Sequence, residues 1–127
     1  MNKMKKILIV EDEEILLKVL VDRFQAAGWE VVSAEDGEKA TQAIESHKDF
    51  NVVLLDLLLP KKSGMVVLKT IRSTQGLENL PVVMLSNLGD TEDIQKAMRL
   101  GATNYFIKTQ HPISEILEEA AKYLKEK

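Results

Sequence analysis

Polar side chains stand at the ends of short apolar segments along this chain. In chain order they are Glu11, Asp12, Asp56, Ser86 and Lys108. Three carboxylates and one lysine leave a net negative charge, and closely spaced carboxylates repel one another unless a cation joins them. A hard divalent cation with oxygen ligands, such as Mg²⁺, would neutralise the set. These residue types therefore predict a metal-assisted carboxylate site.

Asp56 is the most unusual member of this set. It lies inside the run Val-Val-Leu-Leu-Asp-Leu-Leu-Leu, where an unpaired charge would be costly. Taken alone, it is equally consistent with a partly exposed acid at the end of a strand. Together with Glu11, Asp12 and Lys108, it favours a carboxylate nucleophile. Aspartate forms acyl phosphates, and phosphoryl transfer needs mainly positioning and charge neutralisation.

Five strand-like segments alternate with five helical patterns. We expect strands over Ile7–Val10, Glu30–Ala34, Val52–Leu59, Pro81–Leu85 and Thr103–Ile107, and helices over Glu13–Ala27, Gly37–His47, Gly64–Ser73, Thr91–Leu100 and from Ile113 to the end. Asp36 can cap the second helix, and Gly28 and Gly101 stop the first and fourth. Continuous apolar strands are typical of a parallel sheet with helices on both faces. Because the carboxyl ends of parallel strands share one edge, the polar residues that follow them should converge there.

Length and composition narrow the class of protein. The 127 residues, 45% hydrophobic and 29% charged, predict one globular domain over 1–127. A net charge of −3 does not favour nucleic acid as a partner. The absence of cysteine excludes disulfides and thiol chemistry, and His47 and His111 are predicted to be surface residues rather than metal ligands. No signal peptide or membrane span is apparent, so we expect a cytoplasmic protein without membrane contact.

The turn after the first strand argues against a bound nucleotide or flavin. It has the sequence Glu11-Asp12-Glu13-Glu14. Phosphate-binding α/β domains place glycines and backbone N–H groups at this turn, whereas four acids would repel phosphate in the absence of a metal.

Four motifs in order resemble the receiver domain of bacterial two-component response regulators. They are Ile-Leu-Ile-Val-Glu-Asp-Glu, Leu-Leu-Asp-Leu-Leu-Leu-Pro with Gly64 downstream, Val-Met-Leu-Ser, and Gly-Ala-Thr-Asn-Tyr-Phe-Ile-Lys. The resemblance covers essentially the whole chain. It implies an α/β fold of the flavodoxin-like (βα)5 type, with a doubly wound five-stranded parallel sheet in the strand order 2-1-3-4-5.

The resemblance also implies roles for the site residues. Asp56 would be the phosphoacceptor, and Lys108 would pair with it and then with the phosphoryl group. Ser86 would be the switch hydroxyl, and Tyr105 would be the aromatic residue that changes rotamer. Mg²⁺ would be held by Glu11, Asp12, Asp56 and the backbone carbonyl of Leu58.

The partners implied by the resemblance are proteins. A sensor histidine kinase or a phosphotransfer protein would donate the phosphoryl group from a phosphohistidine. The fourth helix, fifth strand and fifth helix would then present a changed surface to a downstream protein, without direct nucleic-acid binding by this chain. The domain would catalyse its own phosphorylation and dephosphorylation as a signalling switch, rather than act as an enzyme on other substrates.

Two positions next to the site depart from the family pattern. Asn87 follows Ser86 where a small residue is usual, and we expect it to narrow access to the site. Thr109 follows Lys108 where proline is usual and the bond is typically cis. Because a cis bond before a non-proline residue costs ~2.5–4 kcal/mol, either that cost is tolerated or the bond is trans and Lys108 is displaced.

A third departure concerns the lifetime of the phosphorylated form. Leu58 and Leu88 lie two residues beyond Asp56 and Ser86, at positions that tune self-dephosphorylation in the family. Because both are apolar, neither can orient an attacking water, and we expect a long-lived phosphorylated form. Replacing Leu58 with Asn and Leu88 with Glu should increase the measured rate of phosphate loss, and an unchanged rate would contradict this expectation.

Other functions remain as alternatives. A pseudo-receiver would keep the fold and bind proteins without being phosphorylated, and Asn87 and Thr109 leave this open. A small aspartyl-phosphate phosphatase of the haloacid dehalogenase type is disfavoured, because such enzymes carry a second aspartate where this chain has Leu58. The first helix has several apolar flanks, which fit either a deeply set helix or a docking patch for a kinase helix.

Overall fold

Five parallel strands form one sheet in the part of the chain that the structure describes. The computed structural model describes residues 5–87 and 89–124. The strands are β1 (Lys5–Val10), β2 (Trp29–Ala34), β3 (Val52–Asp56), β4 (Val82–Ser86) and β5 (Asn104–Ile107). They are hydrogen-bonded in the order β2-β1-β3-β4-β5, and every neighbouring pair is parallel. The predicted fold class and strand order are therefore confirmed.

Helices cover both faces of this sheet. They are α1 (Glu14–Ala26), α2 (Gly37–Ser46), α3 (Gly64–Ser73), α4 (Thr91–Arg99) and α5 (Ile113–Ala121), and a short 3₁₀ turn, Lys122–Leu124, follows α5. The first four predicted helices are confirmed to within one residue at each end, whereas α5 starts at the predicted Ile113 but ends at Ala121 instead of continuing toward the end of the chain. No described helix has the length and apolar character that crossing a bilayer requires.

The alternation of side chains along each strand builds two separate cores. In β1, Leu8 and Val10 pack with buried residues of α2, α3 and α4, while Ile7 and Ile9 pack with α1 and α5. All four side chains are at most 1% exposed. Since successive side chains of a strand point to opposite faces, burial on both faces produces the continuous apolar runs that the sequence shows.

Local residue types mark the start of α2 and the ends of α1 and α4, as the sequence predicts. The Asp36 carboxylate accepts a hydrogen bond of 2.8 Å from the backbone N–H of Lys39 and so caps α2. Gly28 follows α1 with a φ of +93°, and Gly101 follows α4 with a φ of +105°. These left-handed conformations favour glycine, so both residues act as the predicted helix stops.

The third strand is shorter than the sequence predicts. Its apolar run continues to Leu59, but β3 ends at Asp56. The backbone carbonyl of Leu57 instead accepts a 2.8 Å hydrogen bond from the backbone N–H of Gly64, which closes a loop. Leu57 remains buried, whereas Leu58 is 58% exposed. Apolar character alone therefore did not distinguish the end of the strand from a loop that packs beneath it.

The first helix is less deeply set than one of the two interpretations of its sequence requires. Leu20 and Phe24 are its buried residues, and Ala27 lies exposed beyond the end of α1. Ile15 is 80% exposed and Val19 is also exposed. The flank that carries these two residues is a surface patch and not part of the core.

The two histidines lie away from the acidic residues at the carboxyl edge. His47 Nδ1 is 3.0 Å from Lys6 Nζ, and the His111 ring stacks on Phe106 with 4.7 Å between ring centroids. Both histidines are half-buried and keep part of their surface exposed, in line with the predicted surface positions. Neither belongs to the group of possible metal ligands found among the described residues.

Candidate functional site

The carboxyl edge of the sheet gathers all five polar strand-end residues. Glu11 and Asp12 follow β1, Asp56 and Ser86 end β3 and β4, and Lys108 follows β5. A cleft of about 210 Å³ opens at this edge, and its lining residues are Asp12, Glu13, Asp56, Leu58, Ser86, Asn87 and Lys108. The convergence predicted from the strand ends is therefore observed. β2 forms the edge of the sheet and contributes no residue to the lining of this cleft.

Three carboxylates in this cleft can reach a single ion. Glu11, Asp12 and Asp56 each offer an oxygen, and these oxygens all lie within 4.8 Å of one another. Glu11 is 1% exposed and Asp56 is 4% exposed, while Asp12 is exposed. Asp56 is thus a buried acid, and the alternative of a partly exposed strand-end acid is wrong.

Lys108 is the cation that contacts this acidic group. Its Nζ donates hydrogen bonds to Asp56 Oδ2 at 3.1 Å, to Glu11 Oε2 at 3.0 Å and to Glu13 Oε2 at 2.7 Å. The backbone N–H of Lys108 donates to the carbonyl of Ser86 at 2.8 Å, which fixes the end of β5 against β4. The lysine is therefore held at the site by both its backbone and its side chain.

The structure decides whether the peptide bond between Lys108 and Thr109 is cis or trans. No peptide bond among the described residues is cis, so this bond is trans. The expectation that a trans bond displaces Lys108 is wrong, because Nζ still reaches Asp56. Asn87 is exposed and lines the cleft, which agrees with its predicted place at the entrance. Leu88 lies outside the described residues.

Burial and like charge control the ionisation of Asp56. Burial raises the pKa of Asp56 to about 7, the neighbouring Glu11 adds to this rise, and Lys108 opposes it. Burial by itself would lower the pKa of Lys108, but its hydrogen bonds to Glu11 and Glu13 and the charge of Asp56 raise the pKa above the usual lysine value. The lysine therefore remains charged, while the nucleophile candidate titrates near neutrality.

The donor set at this edge fits a hard divalent cation. Glu11 Oε1 lies 2.8 Å from Lys108 Nζ but is buried and makes no hydrogen bond of its own. A buried carboxylate oxygen in this situation retains capacity for a ligand. Carboxylate oxygens are the ligands that Mg²⁺ prefers, and Glu11, Asp12 and Asp56 are the residues that would hold it. The Leu58 backbone N–H donates to Asp56 Oδ1 at 3.3 Å, and the role of its carbonyl remains a prediction.

The two predicted switch residues lie in contact below the cleft. Ser86 is 1% exposed and Tyr105 is buried. Burial raises the pKa of the Tyr105 phenol, while a side-chain hydrogen bond with Ser86 acts in the opposite direction. Tyr105 is therefore packed inward against the hydroxyl that terminates β4.

Sequence reasoning missed the part played by Glu13. The sequence predicts Glu11 and Asp12 as metal ligands but gives Glu13 no role beyond its share of the acidic charge in this turn. In the structure, Glu13 Oε2 makes the shortest of the Lys108 contacts. The one signal in the sequence was the position of Glu13 directly after the two predicted metal ligands. That position does not show where the Glu13 side chain, at the start of a helix, points.

A model of one protein family matches most of this chain. The family is the response regulator receiver domain, and the match covers residues 7–121. That span runs from Ile7, within β1, to the end of α5 and includes every residue of the candidate site.

Individual relatives are similar over the same part of the chain. A probable transcriptional regulator, ycf27, of Cyanophora paradoxa is 37% identical over 85% of this chain and 44% of its own length. The transcriptional regulatory protein CpxR of Escherichia coli K12 is 36% identical over 83% of this chain and 43% of its own length. This chain therefore spans less than half the length of these relatives.

A solved structure provides a similar backbone. The phosphorylated cyanobacterial phytochrome response regulator RcpA is 29% identical, with a TM-score of 0.80 over 94% of this chain and 91% of the other. Fold, strand order and sequence thus agree on one assignment. This chain belongs to the receiver domains of two-component response regulators.

Proposed function

We propose that Asp56 accepts a phosphoryl group from a phosphohistidine on a sensor histidine kinase or a phosphotransfer protein. One observation carries this proposal. A buried aspartate at the end of a central strand contacts a lysine, and one of its oxygens lies within 4.8 Å of oxygens of two further carboxylates that could hold a metal ion with it. That arrangement provides a nucleophile, a fixed positive charge and a cation site in one cleft, which are the parts phosphoryl transfer requires.

The transfer uses the carboxylate form of Asp56. One oxygen of Asp56 forms a bond to phosphorus, the phosphorus–nitrogen bond to the donor imidazole breaks, and the imidazole nitrogen takes up a proton. Mg²⁺, when bound, supplies positive charge that offsets the phosphoryl oxygens and the acidic cluster. Glu11 and Asp12 would hold the ion beside Asp56. Lys108 places its ammonium group 3.1 Å from the reacting carboxylate.

Phosphorylation would act as a switch through Ser86, Lys108 and Tyr105. A phosphoryl group on Asp56 offers new acceptors to the Ser86 hydroxyl and the Lys108 ammonium. Hydrogen bonds to charged groups contribute ~1.5–3 kcal/mol each, and a complete two-state shift takes ~5.5 kcal/mol. Movement of Ser86 alters its contact with Tyr105, and through Tyr105 it alters the surface formed by α4, β5 and α5.

The phosphorylated surface would act on another protein or on a further part of a longer chain. The similar curated proteins are transcriptional regulators more than twice as long as the matched region, so an output domain is compatible with the family. We propose that the receiver itself contacts protein rather than nucleic acid, in keeping with its net charge of −3, and that it acts in the cytoplasm.

The alternative, a pseudo-receiver that is never phosphorylated, has no observation in its favour. Its support was the possible displacement of Lys108 and the presence of Asn87 at the cleft. Lys108 contacts Asp56, and Asn87 lies exposed in the lining of the cleft.

Intact mass measurement separates the two functions. The chain is incubated with Mg²⁺ and acetyl phosphate beside an Asp56→Asn control. We expect one added phosphoryl group in the wild type and none in the variant, because the amide cannot form the acyl phosphate. Absence of an adduct with both acetyl phosphate and phosphoramidate would favour the pseudo-receiver, and an adduct in both proteins would place the phosphoacceptor elsewhere.

A further inference from the structure

All three N–H donors of Lys108 are engaged before any phosphoryl group arrives. An ammonium has three donors, and Lys108 Nζ directs them to Asp56, Glu11 and Glu13 at 3.1, 3.0 and 2.7 Å. A new bond to a phosphoryl oxygen therefore requires the loss of an existing one. The identity of the released acceptor determines how easily Lys108 can turn to the phosphoryl group.

Glu13 is the acceptor that can leave at the lowest cost. The Glu11 side chain is 1% exposed, and loss of its lysine contact would leave a buried charge with less compensation. The Asp56 side chain is 5% exposed and is the residue that receives the group. The Glu13 side chain is 53% exposed, so water can replace Lys108 around its carboxylate.

The backbone of Glu13 is fixed while its carboxylate is accessible. Its N–H donates to Glu11 Oε2 at 3.0 Å, and its carbonyl accepts from the N–H of Leu17 at 2.8 Å in the first turn of α1. The side chain lines the cleft of Asp56, and it also borders a second cleft of about 550 Å³ beside Ile15 and Ile113. Release of the carboxylate therefore needs only side-chain rotation.

We propose that Glu13 is a positioning residue that holds Lys108 in the unphosphorylated domain and yields one lysine donor to the phosphoryl group on Asp56. The inference rests on the proposed function, since it concerns the same transfer. Glu13 then competes with the phosphoryl group for Lys108. Weakening the Glu13 contact favours the phosphorylated form.

Three variants separate this competition from a simple charge effect. Glu13→Gln removes the charge, and Glu13→Asp keeps the charge but shortens the side chain so that the 2.7 Å contact is lost. Glu14→Gln is the matched control, because it removes the same charge one residue along the chain. Glu14 is exposed and makes none of the described contacts with Lys108.

The readout is the ratio of the rate of phosphoryl gain to the rate of phosphoryl loss, measured by intact mass with acetyl phosphate and Mg²⁺. We expect Glu13→Gln and Glu13→Asp to raise this ratio about two- to five-fold, the range that corresponds to loss of an exposed ion pair. Glu14→Gln should leave it unchanged. Circular dichroism checks that each variant is folded, and if Glu13→Gln fails to fold, Glu13→Asp alone tests the contact.

The possible outcomes lead to different conclusions. If the wild type is phosphorylated and both Glu13 variants match it, the role of Glu13 is wrong and the proposed function stands. If Glu13→Asp matches the wild type while Glu13→Gln and Glu14→Gln rise together, charge alone is responsible and the positioning role is again wrong. A wild type that accepts no phosphoryl group overturns the proposed function and this inference with it.

Discussion

Asp56 combines two properties that normally exclude each other. It is buried in the sheet, which opposes ionisation, yet it must carry a negative charge to act as a nucleophile. Lys108 offers partial compensation at 3.1 Å, while the adjacent Glu11 works against it. The unphosphorylated site is therefore electrostatically strained near neutral pH, and both a divalent cation and the protonation of Asp56 relieve that strain.

The stability of the metal-free domain should reflect the proton on Asp56. The pKa of Asp56 is about 7 in the folded chain, against an ordinary aspartate value of 3.8. Between these values the folded chain retains a proton that the unfolded chain has lost, so the free energy of unfolding falls as pH rises. Relative to Asp56→Asn, we expect the wild type to lose on the order of 4 kcal/mol between about pH 4 and pH 7, with no further loss from this group above that range.

Urea unfolding in the presence of EDTA at a series of pH values measures this difference. The Asp56→Asn variant is the control for the wild type, because the amide keeps the shape of the aspartate side chain but does not titrate. Parallel curves for the two proteins would show that Asp56 titrates normally in the folded state.

At the scale of secondary-structure elements, the turn between β3 and α3 positions Asp56, the proposed phosphoacceptor. Gly64 starts α3 directly under the end of β3, and a Cβ atom there would lie 2.2 Å from the Asp56 carbonyl oxygen. Ser63 precedes it as the helix cap and accepts a 3.4 Å hydrogen bond from the N–H of Val66. The glycine is therefore needed for space and not for an unusual backbone conformation, because the adjacent helix approaches the strand end too closely for any side chain.

Gly64→Ala should accordingly disturb both stability and the site. Overpacking of this kind costs about 1–3 kcal/mol, and we expect the upper end because the clash is with backbone. Gly76→Ala gives the comparison for backbone strain without a clash, since Gly76 has a φ of +90° and no atom lies within 4 Å of a Cβ built there, so it should lower stability but leave phosphorylation unchanged. Urea unfolding gives the stability, and the rate of phosphorylation by acetyl phosphate reports on Asp56. An alanine at position 64 that changes neither quantity would show that the helix can shift without cost.

The ends of the helices were easier to predict from the sequence than the end of β3, and the difference has a physical reason. The helices end at capping residues and glycines, which are local signals, and α3 was predicted with the observed bounds Gly64–Ser73. The end of β3 depends on a hydrogen bond between Leu57 and Gly64, seven residues apart along the chain, and the apolar sequence continues through it. Because Leu57 is buried beneath the loop, the apolar pattern of the sequence continues past Asp56 and resembles a longer strand.

At the scale of the whole molecule, the site is assembled from segments far apart in the chain. The Lys108 contact with Glu11 joins residues 97 positions apart, and the contact with Asp56 joins residues 52 positions apart. The site is therefore complete only when β1, β3 and β5 are in register in the folded sheet. A ligand that bridges these segments binds the folded state alone and should stabilise the whole domain.

Mg²⁺ is the ligand that tests this coupling. Binding to the folded state alone stabilises by about 2.7 kcal/mol when the ion is present at a hundred times its dissociation constant. We expect Mg²⁺ to raise the thermal midpoint of the wild type, and Asp12→Asn to abolish most of the rise, because Asp12 supplies one of the candidate ligand oxygens. Asp12 is exposed, so the variant should fold normally without the ion.

Thermal unfolding with and without Mg²⁺ measures the effect, and Asp22→Asn on the far part of α1 is the control. Asp22 is exposed and pairs with Lys18 at 3.6 Å, outside the acidic cluster. An equal Mg²⁺ response in Asp12→Asn and the wild type would exclude Asp12 as a ligand.

The sequence by itself determined the architecture and the membership of the site. Alternating apolar strands and amphipathic helices specify a doubly wound parallel sheet, and in such a sheet every strand end lies on one edge. Glu11, Asp12, Asp56, Ser86 and Lys108 could therefore be named before their distances were known. These inferences succeed because periodicity and chain direction are local properties that folding preserves.

Only the tertiary structure decided the contacts between these residues. It showed that Lys108 reaches Asp56 across a trans bond to Thr109, and that Glu13 takes the third lysine donor. It also showed that Tyr105 packs inward on Ser86 and that Ile15 is exposed on α1. Each of these depends on the direction of a side chain and on the packing of neighbouring elements, which are set by residues distant in the chain and not by the local pattern.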